Sequence, residues 1–179
     1  MFQANCRPIL IGSLPLLDHG QAMQLIARST PEIPLWPQLP KHPREGMIRQ
    51  FLTGFPGLVD QGNRYWIDTG SDGFEQEMAA FYEDYMRAEE DPQFLQDSRF
   101  ALRMDSAPGF FTLMNYLKNE QSPHVTAKGQ ITGPVTTGIG VKDQHGKSIF
   151  YDENLRDMLV KLLSMKGRWQ VAELLGFTG

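Results

Sequence analysis

One short segment near the start of the chain carries groups that could hold a small ligand. Ile11, Gly12 and Ser13 close an apolar run that begins at Arg7. Glycine lets a ligand approach the backbone closely, and the Ser13 hydroxyl with the neighbouring amides could bind a carboxylate or an amino group. Taken alone, the three residues favour a simple strand-to-loop turn over a binding site. The segment is therefore a candidate binding site with an ordinary structural alternative.

A second segment, Lys128–Thr136, has the sequence KGQITGPVT. It places a cation at Lys128 and a hydroxyl at Thr132 around a predicted strand end, where Gly133 and Pro134 fix the exit of the chain. Convergent polar groups of this kind are typical of small-molecule sites. A core strand followed by a tight turn, with Lys128 paired to an acid, is the structural alternative.

Other kinds of chemistry find no support in the residue spacing. The four histidines never stand close together in sequence or near Cys6, so we expect no metal site and no cofactor of this chain's own. The chain has no G-x-S-x-G elbow for nucleophilic hydrolysis and no Walker or G-x-G-x-x-G loop for phosphates. The histidines are His19, His42, His124 and His145.

Composition and charge limit the classes of partner that this chain is expected to bind. A formal charge of −4 and a pI near 5.5 give no basic footprint for nucleic acid or anionic lipid. No apolar stretch approaches the ~20 residues needed to cross a bilayer. The apolar run within residues 1–17 predicts a strand rather than a signal peptide. One cysteine, Cys6, excludes an internal disulfide and fits a reducing compartment. We expect a cytoplasmic protein that binds a small molecule.

Periodicity predicts an alternation of strands and helices in one domain, residues 1–179. Hairpins are predicted around residues 58–68 and 141–151, and capping boxes at Asp18 and Asp72 predict two helix starts. Such alternation favours a parallel sheet with ligands at the carboxyl ends of its strands. The predicted parallel strands are Arg7–Leu14, Ile33–Trp36 and His124–Ile131, and helices are predicted from Asp18, Pro43, Asp72, Pro108 and Asp152.

Together, the IGS and KGQITGPVT segments resemble the catalytic barrel of cobalamin-independent methionine synthase, within the uroporphyrinogen decarboxylase superfamily. The resemblance implies an α/β fold, a (β/α)8 TIM barrel, and methyl transfer to the thiol of homocysteine. It implies that Ile11, Gly12, Ser13, Lys128 and Thr132 contact homocysteine or methionine. A complete barrel takes about 250 residues, so we expect only the first three to four β/α units, with hairpin insertions.

The family holds zinc through a His-x-Cys pair, a glutamate and a further cysteine, and this sequence contains no such set. Zinc keeps the acceptor sulfur as a thiolate, whereas a free thiol of pKa about 8.5 is mostly protonated at neutral pH. The resemblance therefore predicts a truncated or split form that is inactive alone and holds no stoichiometric zinc. Zinc is expected only in the complete family barrel.

Three other possibilities stay open from the sequence. The resemblance to short family members implies a methylated corrinoid protein as a possible partner. A non-catalytic half-barrel could pair its sheet edges with another chain or with a second copy of itself. A uroporphyrinogen decarboxylase-like protein is a further alternative, although Arg7 and Arg28 do not match that family's arginine signature.

Overall fold

The structure, a computed structural model, describes residue 3, residues 5–119 and residues 124–177. Helices dominate these residues, whose regular strands form one two-stranded antiparallel sheet. The helices are α1 (His19–Ser29), α2 (Phe74–Glu90), α3 (Pro92–Asp97), α4 (Pro108–Asn119), α5 (Pro134–Gly140) and α6 (Glu153–Leu175); the strands are β1 (Leu58–Asp60) and β2 (Tyr65–Ile67); single 3-10 turns cover Pro43–Glu45, Arg49–Phe51 and Ile149–Tyr151.

The predicted partial (β/α)8 barrel is wrong. Two isolated bridges form in place of the expected ladders: one links the first segment to Gln38, just after the second segment, and the other links the second segment to the third. Ser13 is bridged to Gln38 and Leu35 to Lys128, both in parallel orientation. The sheet that does form is the hairpin of β1 and β2, in the place where a hairpin was predicted.

Backbone chemistry explains why these segments stay irregular. Proline has no N–H to donate to a ladder, and Pro8 lies in the first segment while Pro34 and Pro37 lie in or beside the second. Gly12 has a φ of 103°, which interrupts an extended conformation. Short apolar runs bury side chains without needing a strand, so their hydrophobicity alone gave no reliable strand signal.

The described residues cluster in two compact units, and the first combines Met1–Gly46, Arg103–Gln130 and Val171–Gly179. Its core lies between α1, which packs on α4, and the bridged segments. Trp36 is fully buried and meets the Phe110 ring edge to face, with 6.1 Å between the ring centroids. Aromatic packing of this kind anchors the bridged segments on α4.

The second unit comprises Met47–Leu102 and Ile131–Gln170. Phe81 of α2 and Phe100 are fully buried and pack edge to face, with 5.6 Å between the ring centroids. On α6, Leu155, Met158 and Leu159 are buried and form one apolar face of the helix. Burial of these side chains supplies the main favourable term for this unit.

Two of the predicted helix starts show opposite outcomes. The Asp18 carboxylate accepts a hydrogen bond from the Gln21 amide at 2.7 Å and caps α1, which confirms the prediction. Asp72 does not cap α2. The N-cap position is occupied by Gly73, so no side-chain hydrogen bond caps this helix. Among the described residues, no helix combines the length and the apolar character that crossing a bilayer requires.

Two glycines give matched tests of packing. A Cβ on Gly109, in the first turn of α4, would lie 1.8 Å from the Pro37 carbonyl oxygen, whereas one on Gly167 in α6 would meet nothing within 4 Å. Gly109→Ala should lower the free energy of unfolding by about 1–3 kcal/mol through overpacking. Gly167→Ala should raise it by about 0.5–1 kcal/mol, since alanine favours helix. Urea denaturation measures both; a stabilising Gly109→Ala would contradict this packing.

A tyrosine on α2 provides a pH test of the second unit. The Tyr82 hydroxyl donates a hydrogen bond to the Asp157 carboxylate at 2.7 Å, and Lys161 donates to the same carboxylate at 2.5 Å. Burial, followed by the bond and negative charge of Asp157, raises the pKa of Tyr82 to about 12. The Lys161 hydrogen bond is the largest cause that lowers the pKa of Asp157.

Because the folded pKa of Tyr82 is raised, its contribution to stability is complete below pH 10 and is lost as the pH rises through about 12. At pH 11 we expect about a tenth of Tyr82 to be ionised, against about nine-tenths of a tyrosine of pKa 10. Ultraviolet difference titration against Tyr82→Phe measures that fraction. Asp157→Asn should lower the pKa; an ordinary Tyr82 titration in the folded protein would contradict the contact.

Candidate functional site

The predicted ligand-binding segment Ile11–Ser13 lies at the edge of the first unit. The backbone N–H of Gln38 donates to the backbone carbonyl of Gly12 at 2.8 Å, and the backbone N–H of Leu14 donates to the backbone carbonyl of Gln38 at 2.9 Å. Ile11 is 82% exposed and Ser13 is also exposed. The backbone of this segment is thus held on one side and open to solvent on the other.

Ser13 has polar groups that the fold leaves unused. In a parallel bridge the residues before and after the bridged one make the hydrogen bonds, as Gly12 and Leu14 do here, so the N–H and C=O of Ser13 point the other way. Within the described residues, neither its backbone groups nor its hydroxyl makes a hydrogen bond. These groups are free to bind a ligand.

Gly12 has a structural reason to be glycine. Besides its φ of 103°, a Cβ there would lie 2.6 Å from Leu35 Cδ1 and 2.7 Å from the Gln130 side-chain oxygen. Any larger side chain would therefore strain the backbone and displace its neighbours. A variant at this position would perturb the fold whether or not the segment binds a ligand, so it cannot test binding.

The other two candidate residues use their polar groups within the protein. The Lys128 ammonium donates to the Leu10 carbonyl at 2.8 Å, which ties the later segment to the backbone just before Ile11. The Thr132 hydroxyl donates to the Met47 carbonyl at 2.5 Å, in the second unit. Lys128 therefore lies beside the Ile11–Ser13 segment and supports it, whereas Thr132 anchors a loop of the other unit.

A cluster that sequence spacing did not reveal lies in the first unit. His19, His42 and Glu45 each offer one metal-ligating atom, and these atoms lie within 4.8 Å of one another. His19 comes from the first turn of α1, while Glu45 ends a 3-10 turn that starts directly after His42. The separation of 26 positions between His19 and Glu45 explains why no short motif signalled the cluster.

Glu45 is buried, with 2% of its side chain exposed, and is held by two donors. His19 Nε2 lies 2.9 Å from both carboxylate oxygens, and the Leu39 amide donates to one of them at 3.2 Å. His42 stacks on His19 with 5.4 Å between ring centroids and donates from Nε2 to the Leu17 carbonyl. The carboxylate is thus satisfied without water, and both rings are oriented.

The zinc set of the methionine synthase family does not fit this chain. That set needs two thiolates, and the sequence has one cysteine, Cys6, which is exposed and free. The His19–His42–Glu45 cluster offers two nitrogens and a carboxylate instead. No step of thiol activation is therefore assigned to the family's zinc here.

Comparison with known proteins adds no assignment, because no family model, no curated protein and no solved structure matches the chain.

Proposed function

We propose that this chain belongs to a methionine-synthase-type methyltransferase and binds the amino-acid end of homocysteine or methionine at the Ile11–Ser13 segment. The observation that carries the proposal is the unused N–H and hydroxyl of Ser13 on an exposed edge. An α-carboxylate accepts hydrogen bonds from such a pair of donors. The IGS and KGQITGPVT segments supply the chemical class of the ligand through their resemblance.

In this proposal the predicted residues have different roles in ligand binding. Ser13 offers donors to the carboxylate, and the exposed Ile11 side chain offers an apolar surface to the thioether or thiol arm. Lys128 holds the Leu10 carbonyl and so fixes the approach of the segment rather than touching the ligand. Gly12 adopts the positive φ of 103° that precedes the exposed Ser13.

The proposed setting is the cytoplasm, where the exposed Cys6 thiol stays reduced. A methylated corrinoid protein is a proposed partner, as the methyl donor of a complete enzyme to which this chain would contribute the amino-acid site. Since the family's thiolate ligands have no match in residues 1–179, we propose that this chain binds substrate without transferring a methyl group by itself.

Methionine titration followed by amide NMR tests the proposal. We expect saturable shifts of the Ser13 amide with weak affinity, about 1 mM, because an exposed edge excludes little water. Ser13→Asp should weaken binding at least about fivefold, since a carboxylate beside the ligand carboxylate costs roughly 1–4 kcal/mol.

Ser164→Asp is the matched control, because Ser164 is an exposed serine of α6 in the second unit. It should bind methionine as the unmodified chain does. Equal weakening of methionine binding by both substitutions would argue against this site. So would amide chemical-shift changes that appear elsewhere in the chain but not at residues 11–13.

The same edge supports a second candidate, association with another chain. Ile9 and Ile11 are 58% and 82% exposed beside the unpaired backbone of Ser13, and an apolar unpaired edge favours pairing between chains. A second copy of this chain is the simplest partner. Sedimentation that gives twice the chain mass of 20.3 kDa, abolished by Ile11→Lys, would favour this candidate over ligand binding.

A further inference from the structure

We propose that His19, His42 and Glu45 form a binding site for one divalent transition-metal ion of the zinc class. The three side chains already lie together in the first unit, with ligating atoms within 4.8 Å of one another. This site is separate from the amino-acid site proposed above and does not rest on it. Neither its residues nor its spacing matches the zinc set of the resembled family.

The distances require small movements. Two ligand atoms about 2.0 Å from zinc at a tetrahedral angle are about 3.3 Å apart. His19 Nε2 and the Glu45 oxygens are 2.9 Å apart, so an ion between them has to open this contact by a few tenths of an ångström. The third ligand has to approach by at most about 1.5 Å, starting from the 4.8 Å limit.

The hydrogen bond with Leu17 fixes which nitrogen of the His42 ring carries a proton. A carbonyl oxygen only accepts hydrogen bonds, so the 2.9 Å contact with Leu17 places a proton on His42 Nε2. In the neutral ring the lone pair then lies on Nδ1, so the proposal takes Nδ1 as the metal-binding atom of His42. Metal-bound histidines commonly donate their other N–H to a backbone carbonyl in this way, which holds the ring in place.

The burial of Glu45 gives the ion an electrostatic reason to bind. A buried carboxylate is costly unless opposite charge or hydrogen bonds compensate it, and here two donors, His19 and the Leu39 amide, supply that compensation. For a divalent ion to bind His19 Nε2, the proton on that nitrogen has to move to Nδ1 or leave to solvent, and the ion then supplies positive charge to Glu45 in its place. The Leu39 amide would then orient the carboxylate from behind.

The ligand types select the class of ion. Two imidazoles and one carboxylate suit zinc and neighbouring transition metals, whereas calcium and magnesium prefer oxygen alone. Three protein ligands leave at least one coordination position for water or an exogenous ligand. The half-buried His19 and His42 give the ion a route from solvent.

The test uses the full chain with Cys6→Ser, which removes the exposed thiol as a competing ligand. Equilibrium dialysis against Zn²⁺ should give one ion per chain, and Co²⁺ should give visible d–d absorption. Adding His42→Ala should weaken zinc binding at least about tenfold. Adding His145→Ala, which removes an exposed histidine from the second unit, should leave binding unchanged.

Zinc titration of the Cys6→Ser chain by imidazole NMR keeps the test valid if a variant fails to fold. Signals of His19 and His42 should move together and saturate at one equivalent, while those of His145 stay fixed. The proposal is overturned if no zinc is retained, if His42→Ala and His145→Ala bind equally, or if the moving signals belong to other histidines. None of these outcomes would touch methionine binding at Ser13.

Discussion

The two hydrogen bonds between Gln38 and the backbone on either side of Ser13 are the constraint on which both candidate sites depend. They run from the Gln38 amide to Gly12 and from the Leu14 amide to Gln38. Because the pairing is parallel, the two chain segments leave it in the same direction. His19 follows Ser13 by six residues and Glu45 follows Gln38 by seven, so one backbone register brings the metal-ligating side chains together while it leaves Ser13 facing outward.

Close packing keeps this register in place. Gly12 has no space for a Cβ because Leu35 and Gln130 fill it, and Lys128 holds the Leu10 carbonyl. The side-chain amide of Gln130 also donates a hydrogen bond to the backbone carbonyl of Trp36 at 2.9 Å. Main-chain groups that would otherwise be buried and unsatisfied thereby obtain partners from polar side chains, as their burial requires.

Several local signals in the sequence predicted local structure correctly. The Asp18 cap starts α1 as expected, α4 begins at Pro108, and α6 carries its apolar stripe toward the core. These features depend on hydrogen bonds and periodicity within a few residues. The hairpin of β1 and β2 was also predicted, since its two strands flank the turn residues Gln61–Asn63.

Features that depend on residues far apart in the sequence could not be predicted from local sequence patterns. Alternating apolar runs predicted a parallel sheet, but prolines and Gly12 reduce its expected strands to single bridges. The sequence predicts an exit turn after Gly133, yet Pro134 starts the short helix α5, where a proline fits the first helical turn. The His19–His42–Glu45 cluster depends on pairing 25 residues apart in sequence, between Ser13 and Gln38, which no motif encodes.

Amide hydrogen exchange across this pairing tests the central claim most directly. The Leu14 and Gln38 amides donate to backbone carbonyls and should exchange slowly, whereas the exposed Ser13 amide between them should exchange at the rate of an unstructured peptide. Slow exchange at Leu14 and Gln38 with fast exchange at Ser13 is the predicted result. A Ser13 amide as protected as its two neighbours, or a Gln38 amide with no protection, would contradict the account.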